Sequence, residues 1–145
     1  MIQRIQSVWL LLAALVNAGL FYLSYYKAIF LTNGEETVKY LRATSYLPSL
    51  VVLIVITILP LVTIFRFKDR KKQSRMAVLS MIASIGFHAL AIMRIGNINN
   101  SEPLPSDGSY QIGFFLPTIA IIFLLLAIKG IRKDEKLVKS LDRLR

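Results

Sequence analysis

The stretch Ala43–Phe65 reads ATSYLPSLVVLIVITILPLVTIF, 23 residues without an Asp, Glu, Lys or Arg, bounded by Arg42 and Arg66. A helix rises about 1.5 Å per residue, so about 20 apolar residues cross the roughly 30 Å hydrocarbon layer of a bilayer. Three further runs of this kind flank it. Ile5–Tyr26 has 22 residues between Arg4 and Lys27, Met76–Met93 has 18 between Arg75 and Arg94, and Gly108–Ile128 has 21 between Asp107 and Lys129. Met76–Met93 is the shortest and contains Ser80, Ser84 and His88. Four such runs in 145 residues leave too little polar surface to enclose them all in a water-soluble fold. The expected fold is an all-α membrane protein, an antiparallel bundle of four transmembrane helices over about 5–26, 46–65, 76–93 and 110–128.

Composition agrees. Hydrophobic residues make up 55% of the chain and the mean hydropathy is +0.59, against about 45–50% apolar in ordinary soluble domains. The absence of Cys excludes disulfides, thiol catalysis and thiolate metal sites. A single His excludes a multi-histidine metal centre. No cofactor or metal is expected. A cleaved signal peptide is an alternative reading of the first run, since Val16-Asn17-Ala18 resembles a small-residue cleavage site behind the basic Arg4. The apolar run continues for eight residues past that site, through Leu20, Phe21, Tyr22 and Leu23, which favours a retained span.

The basic residues are distributed asymmetrically. The N-terminus, the segment 66–75 and the tail from Lys129 carry fourteen of the eighteen Lys and Arg residues. The other two loops carry only Lys27, Lys39, Arg42 and Arg94. Four spans put the three rich segments on one side, and cytoplasmic loops are the ones enriched in Lys and Arg. Both termini are therefore expected in the cytoplasm. All six tyrosines fall at or near the opposite ends of the spans, as expected of interfacial anchors: Tyr22, Tyr25, Tyr26, Tyr40, Tyr46 and Tyr110. Trp9, Phe65 and Phe67 mark the cytoplasmic ends.

In the first outer loop, Asn33-Gly34 separates two β-prone runs, a strong signal for a type I′ hairpin. It predicts strands near 28–32 and 35–40, an extracytoplasmic hairpin over about 28–40. The second outer loop contains Pro103 and Pro105, which bar a strand at its centre. Its ends, near Ile98 and 110–112, are candidates to extend the sheet. On the cytoplasmic side, the segment 66–75 reads as a basic turn that fixes topology near anionic headgroups.

The tail 129–145 is expected to form an amphipathic helix. Leu137, Leu141 and Leu144 recur at helical spacing with Val138 beside them. Gly130 is a candidate bend between the fourth span and the tail. Such a helix either lies on the membrane surface or docks its apolar face into a groove of another protein. The candidate partner-binding residues are Leu137, Val138, Leu141 and Leu144, with Arg143 and Arg145. The tail has no aromatic residue for base stacking, so nucleic acid is not an expected partner.

His88 is the ionisable residue of the spans, one turn from Ser84. Intramembrane ionisable groups often mark ion or substrate paths, but a neutral His bonded between helices explains it more simply. Asn17 is the most polar residue of the first span and is expected to face the bundle. Ala14 with Ala18, and Ser80 with Ser84, have the spacing that lets helices approach closely. Pro60 and Pro117 lie inside spans and are expected to bend or loosen them. Every acidic residue lies in a loop or in the tail, leaving no carboxylate pair within the spans, and no phosphate loop or Ser/His/Asp set is evident, so an enzyme is not expected.

The first fourteen residues, MIQRIQSVWLLLAA, and the last fifteen, IRKDEKLVKSLDRLR, resemble a family of small membrane proteins of Bacteroidota that carries only a domain-of-unknown-function label. The resemblance implies a four-helix protein of the bacterial inner membrane and implies no activity, substrate or catalytic residue. Two function classes follow. One is an accessory or scaffolding subunit of a larger membrane complex, with the lipid bilayer, another membrane or cytoplasmic protein and a second copy of itself as candidate partners. The other is a small transporter or channel with a path near His88, Ser84 and Asn17.

Overall fold

The computed structural model describes residues 2–32 and 35–142. Its elements are α1 (Ile2–Ala18), β1 (Ser24–Thr32), β2 (Glu35–Arg42), α2 (Leu47–Phe65), α3 (Arg70–Asn99), β3 (Asp107–Tyr110) and α4 (Ile112–Asp142), with short 3-10 turns at Gly19–Phe21 and Ala43–Ser45. The fold is mostly helical, four helices with a three-stranded antiparallel sheet at one end. The helices form a ring in which α1 packs on α2 and α4, and α3 packs on α2 and α4. Contacts between Gln6 and Asp134, Asn17 and Ile56, Thr63 and Gln73, and His88 and Thr118 make every neighbouring pair antiparallel.

Among the described residues three helices are long and apolar enough to cross a membrane: α2, α3 and α4. The apolar part of the first, Ile5–Phe21, is shorter. Only 28–33% of the most apolar window of each long helix is buried inside the protein. Leu15, Val51, Ile58, Ile82 and Ile122 all point outward and are exposed.

The first expected span, 5–26, is too long. Helix α1 ends at Ala18, and Ser24, Tyr25 and Tyr26 already belong to β1. The sheet order is β2-β1-β3. Strand β1 pairs with β2 from Thr32↔Glu35 to Tyr26↔Leu41, and with β3 from Tyr26↔Tyr110 to Ile29↔Asp107. The hairpin thus runs deeper than 28–40, because its base is buried against the helices and gains more there than a helix extended into solvent would. The turn Asn33-Gly34 lies outside the described residues. The third strand is confined to 107–110, just past Pro105. Ile98, expected near a strand, instead lies in α3, which continues to Asn99.

The basic segment 66–75 is also mostly helix. Only 66–69 is a turn, and α3 starts at Arg70, where the Asp69 side chain accepts from the Lys72 backbone N–H at 3.0 Å and caps the helix. That N–H holds the Asp69 carboxyl below its ordinary value.

Two clusters fill the bundle. Around the sheet lie Tyr25, Leu41, Leu53, Ile56 and Phe87. The far end is made from smaller residues, Ala13, Ala77, Ala120 and Ala127 with Leu10, Leu124 and Ile131. Tyr25 and Tyr26, expected as interfacial anchors, are 0% and 5% exposed and belong to the core. Tyr25 meets Phe87 edge-on at 6.3 Å, while the Tyr26 hydroxyl donates to Asn99 at 3.1 Å. Tyr22, Tyr40, Tyr46 and Tyr110 are exposed.

Candidate functional site

At the end of the bundle opposite the sheet, α1, α3 and α4 meet in a polar knot joined to α2. Gln6 of α1 is 2% exposed. Its amide donates to Asp134 Oδ2 on α4 at 2.8 Å, and its carbonyl oxygen accepts from Arg70 Nη1 on α3 at 3.4 Å. Arg70 also reaches Gln73 at 3.4 Å and lies 3.9 Å from Asp134, with both side chains largely buried. Gln73 donates in turn to the carbonyl of Thr63 at the end of α2, at 3.3 Å. Buried polar groups are costly unless bonded, so this linkage ties all four helices to one arrangement. Gly130 makes room for it: a Cβ there would stand 2.9 Å from Gln6 Cγ. Gly130 therefore marks a close approach of α1 and α4 rather than a bend, since α4 is one continuous helix through it.

Asp134 is thus turned inward. At about 100° per residue, Lys129, Arg132 and Lys136 fall on the opposite side of α4, with Lys133 flanking them and Leu125 and Ile128 nearer the helix start. These six residues line a shallow groove of about 570 Å³. Leu137, one turn beyond Lys133, and Val138 are 48% and 53% exposed. Leu141 is within α4, while Arg143, Leu144 and Arg145 lie outside the described residues.

The polar residues expected within the spans separate onto different interfaces. Asn17, fully buried, donates to the carbonyl of Ile56 on α2 at 3.1 Å. Ile56 is four residues before Pro60, which has no N–H to give it. Asn17 therefore supplies the hydrogen bond that the proline removes, and α2 continues through Pro60. Ser80 and Ser84 donate to the carbonyls of Met76 and Ser80 on their own helix, both at 3.0 Å. They do not join His88. The half-buried His88 pairs through Nε2 with Thr118 Oγ1 on α4 at 2.9 Å and lies 5.2 Å from the Phe114 ring.

Sequence reading missed the knot and the partner of His88. Gln6 and Asp134 are 128 residues apart, and nothing in a single sequence pairs them. The basic stripe was accessible in part: helical-wheel arithmetic separates Lys129, Arg132 and Lys136 from Leu137 and Leu141, while Lys133 lies one turn before Leu137 on the same face. Among the described residues no cluster of three His, Asp or Glu side chains could hold a metal ion.

No curated protein and no solved structure matches the chain. The family model for a domain of unknown function (DUF4293) matches residues 2–144, and the chain belongs to that family.

Proposed function

We propose that this chain is a non-enzymatic membrane protein that serves as an accessory or scaffolding subunit of a larger complex, docking through its basic C-terminal helix. The observation that carries the reading is that α4 continues without interruption to Asp142, is clamped at Asp134 by Gln6 and Arg70, and leaves Leu137 and Val138 exposed. A helix of 31 residues is about 46 Å long, well beyond the roughly 30 Å of a hydrocarbon layer. Its last turns are a rigid extension with an uncovered apolar edge, suited to helix-in-groove recognition.

The membrane setting is part of the proposal. The outward-facing Ile, Leu and Val side chains of α2, α3 and α4 need an apolar surrounding. The 17 residues Ile5–Phe21 reach the lower limit for a fourth span. The knot gathers the 66–75 segment, the start of α1 and the described part of the tail at one end, and in sequence these three segments hold fourteen of the eighteen basic residues. By the positive-inside rule that end, with both termini, faces the cytoplasm in a bacterial inner membrane. A path through the bundle draws less support, because Asn17 serves the α1–α2 interface and His88 the α3–α4 interface.

Co-purification tests the docking. The full chain, extracted from native membranes in mild detergent, should carry one stoichiometric partner that a chain ending at Lys136 loses. That end point keeps Ile131, which is buried, and the Asp134 clamp. Identical partners with both chains, or none with either, would remove tail docking as the function.

A further inference from the structure

We infer that the α4 stripe formed by Lys129, Arg132, Lys133 and Lys136, beneath Leu125 and Ile128, is a binding site for an anionic phospholipid. This inference rests on the membrane reading but not on the docking of the tail. Lys129 to Lys136 spans about 10 Å along the helix, the scale of a phospholipid headgroup and its glycerol. Among the described residues no carboxylate lines the groove. Asp134 points away from the groove, bonded to Gln6 and near Arg70, and Glu135 is not among the lining residues. The knot therefore fixes the pose of the helix that carries the stripe.

The occupant follows from the two halves of the groove. Its lower half offers only cations, complementary to a phosphodiester and to any further negative charge on the headgroup. Its upper half is Leu125 and Ile128, continuous with the apolar run that ends at Ile128, where an acyl chain would begin. A soluble phosphate compound would use the cations and leave the exposed Leu125 uncovered. A nucleic acid would find no aromatic side chain in the groove. The long Lys and Arg side chains can lie along the apolar stripe while their heads reach the interface.

The test uses full-length protein, delipidated in neutral detergent and titrated with phosphatidylglycerol, phosphatidylcholine or inorganic phosphate, with bound adducts counted by native mass spectrometry. Phosphatidylglycerol should bind preferentially and inorganic phosphate should not displace it. Arg132→Gln should weaken that binding about fivefold, and the quadruple glutamine variant of Lys129, Arg132, Lys133 and Lys136 by more than about a hundredfold. The matching quadruple glutamine variant of Arg66, Lys68, Lys71 and Arg75 removes the same charge from exposed positions at the same end and should retain binding. Thermal unfolding checks that each variant folds, and Arg132→Gln alone decides if the quadruple does not. Equal losses in both quadruple variants would show diffuse attraction and overturn the site. Equal uptake of the two lipids would also overturn it and leave the stripe to an acidic protein surface. Release of the chain from membranes by alkaline carbonate would instead defeat the membrane reading itself.

Discussion

The two ends of this bundle are held by opposite means. At the sheet end, large rings and backbone pairing do the work: Tyr25 against Phe87, Tyr26 against Tyr110 at 5.5 Å, and β1 hydrogen-bonded on both edges. Arg94 adds a clip, donating to the Arg42 and Ser45 carbonyls and lying 4.7 Å over the Tyr46 ring. At the tail end, four alanines bring the helices close, and a polar knot fixes their register. Apolar burial is strong but tolerant of small rotations. A bonded set of amides and charges is directional, and any misalignment strands a buried polar group. The end that presents charge and an uncovered leucine edge is thus the end fixed by direction. That is what a surface needs if its side chains are to meet a partner in one pose.

Two glycines separate these mechanisms most sharply. A Cβ on Gly113 would stand 2.5 Å from the carbonyl oxygen of Ser24, so one backbone blocks another. A Cβ on Gly130 would meet the Gln6 side chain, whose Cγ is 2.9 Å away. Gly113→Ala should cost about 2 kcal/mol, read as a shifted midpoint in a reversible unfolding titration in mixed micelles, because strand and helix must move apart. Gly130→Ala should change stability by less than about 1 kcal/mol, since a helix gains roughly that much from Ala over Gly while Gln6 yields. Equal losses at the two positions would mean that the tail end is walled by backbone as well.

The knot itself is the next largest expectation. Gln6→Ala, Asp134→Ala and the double variant form a cycle that isolates their hydrogen bond from the packing each side chain also provides. A bond between a neutral amide and a carboxylate inside the bundle should give a coupling of about 1.5 kcal/mol in the same titration. Asp134→Ala also leaves the Arg70 charge with only the neutral Gln6 and Gln73 as partners, so its single loss should exceed that of Gln6→Ala. A coupling near zero would make the knot incidental and would detach the orientation of the α4 stripe from it.

Much of this arrangement was legible in the residues, for identifiable reasons. Charge-free runs located all four helices, because ionisable side chains are excluded from helices that are apolar all round. The Asn33-Gly34 dipeptide announced a hairpin because few residues tolerate its geometry, and strands pair on both sides of it. What failed was the end of the first run. Leu20 to Tyr26 are apolar whether they finish a helix or form the buried base of a strand, and period alone does not separate these over so few residues. Helix α3 likewise runs past Arg94, because the long side chain turns to the loop carbonyls while the backbone stays helical. Asn17 was read correctly as inward-facing, but its pairing with the carbonyl freed by Pro60 needs the two helices side by side. The knot was illegible for the same reason. Its members are ordinary glutamines, an arginine and an aspartate until four helices bring them together.

The smallest effect at neutral pH belongs to the sheet end. Tyr25 is fully buried, and its hydroxyl has no hydrogen-bond partner among the described residues. Burial raises its pKa above the ordinary phenol value, against the opposing pull of the Arg94 charge. A raised value in the folded state gives stability that is complete below the unfolded pKa, near 10, and is lost as pH rises through the folded one. The chain should therefore weaken in alkali partly because Tyr25 must ionise inside a ring of Phe87 and Leu41. Tyr25→Phe keeps the ring and removes the proton, so it should leave stability at pH 7 within about 1 kcal/mol of the parent. Between pH 9 and 11 (assay values, about a unit either side of the reference pKa), it should flatten the decline that the parent shows. Tyr110→Phe, on the exposed β3, is the control and should leave the decline in place. If both variants decline like the parent, Tyr25 does not set the alkaline limit, and the contrast between the two ends stops at packing.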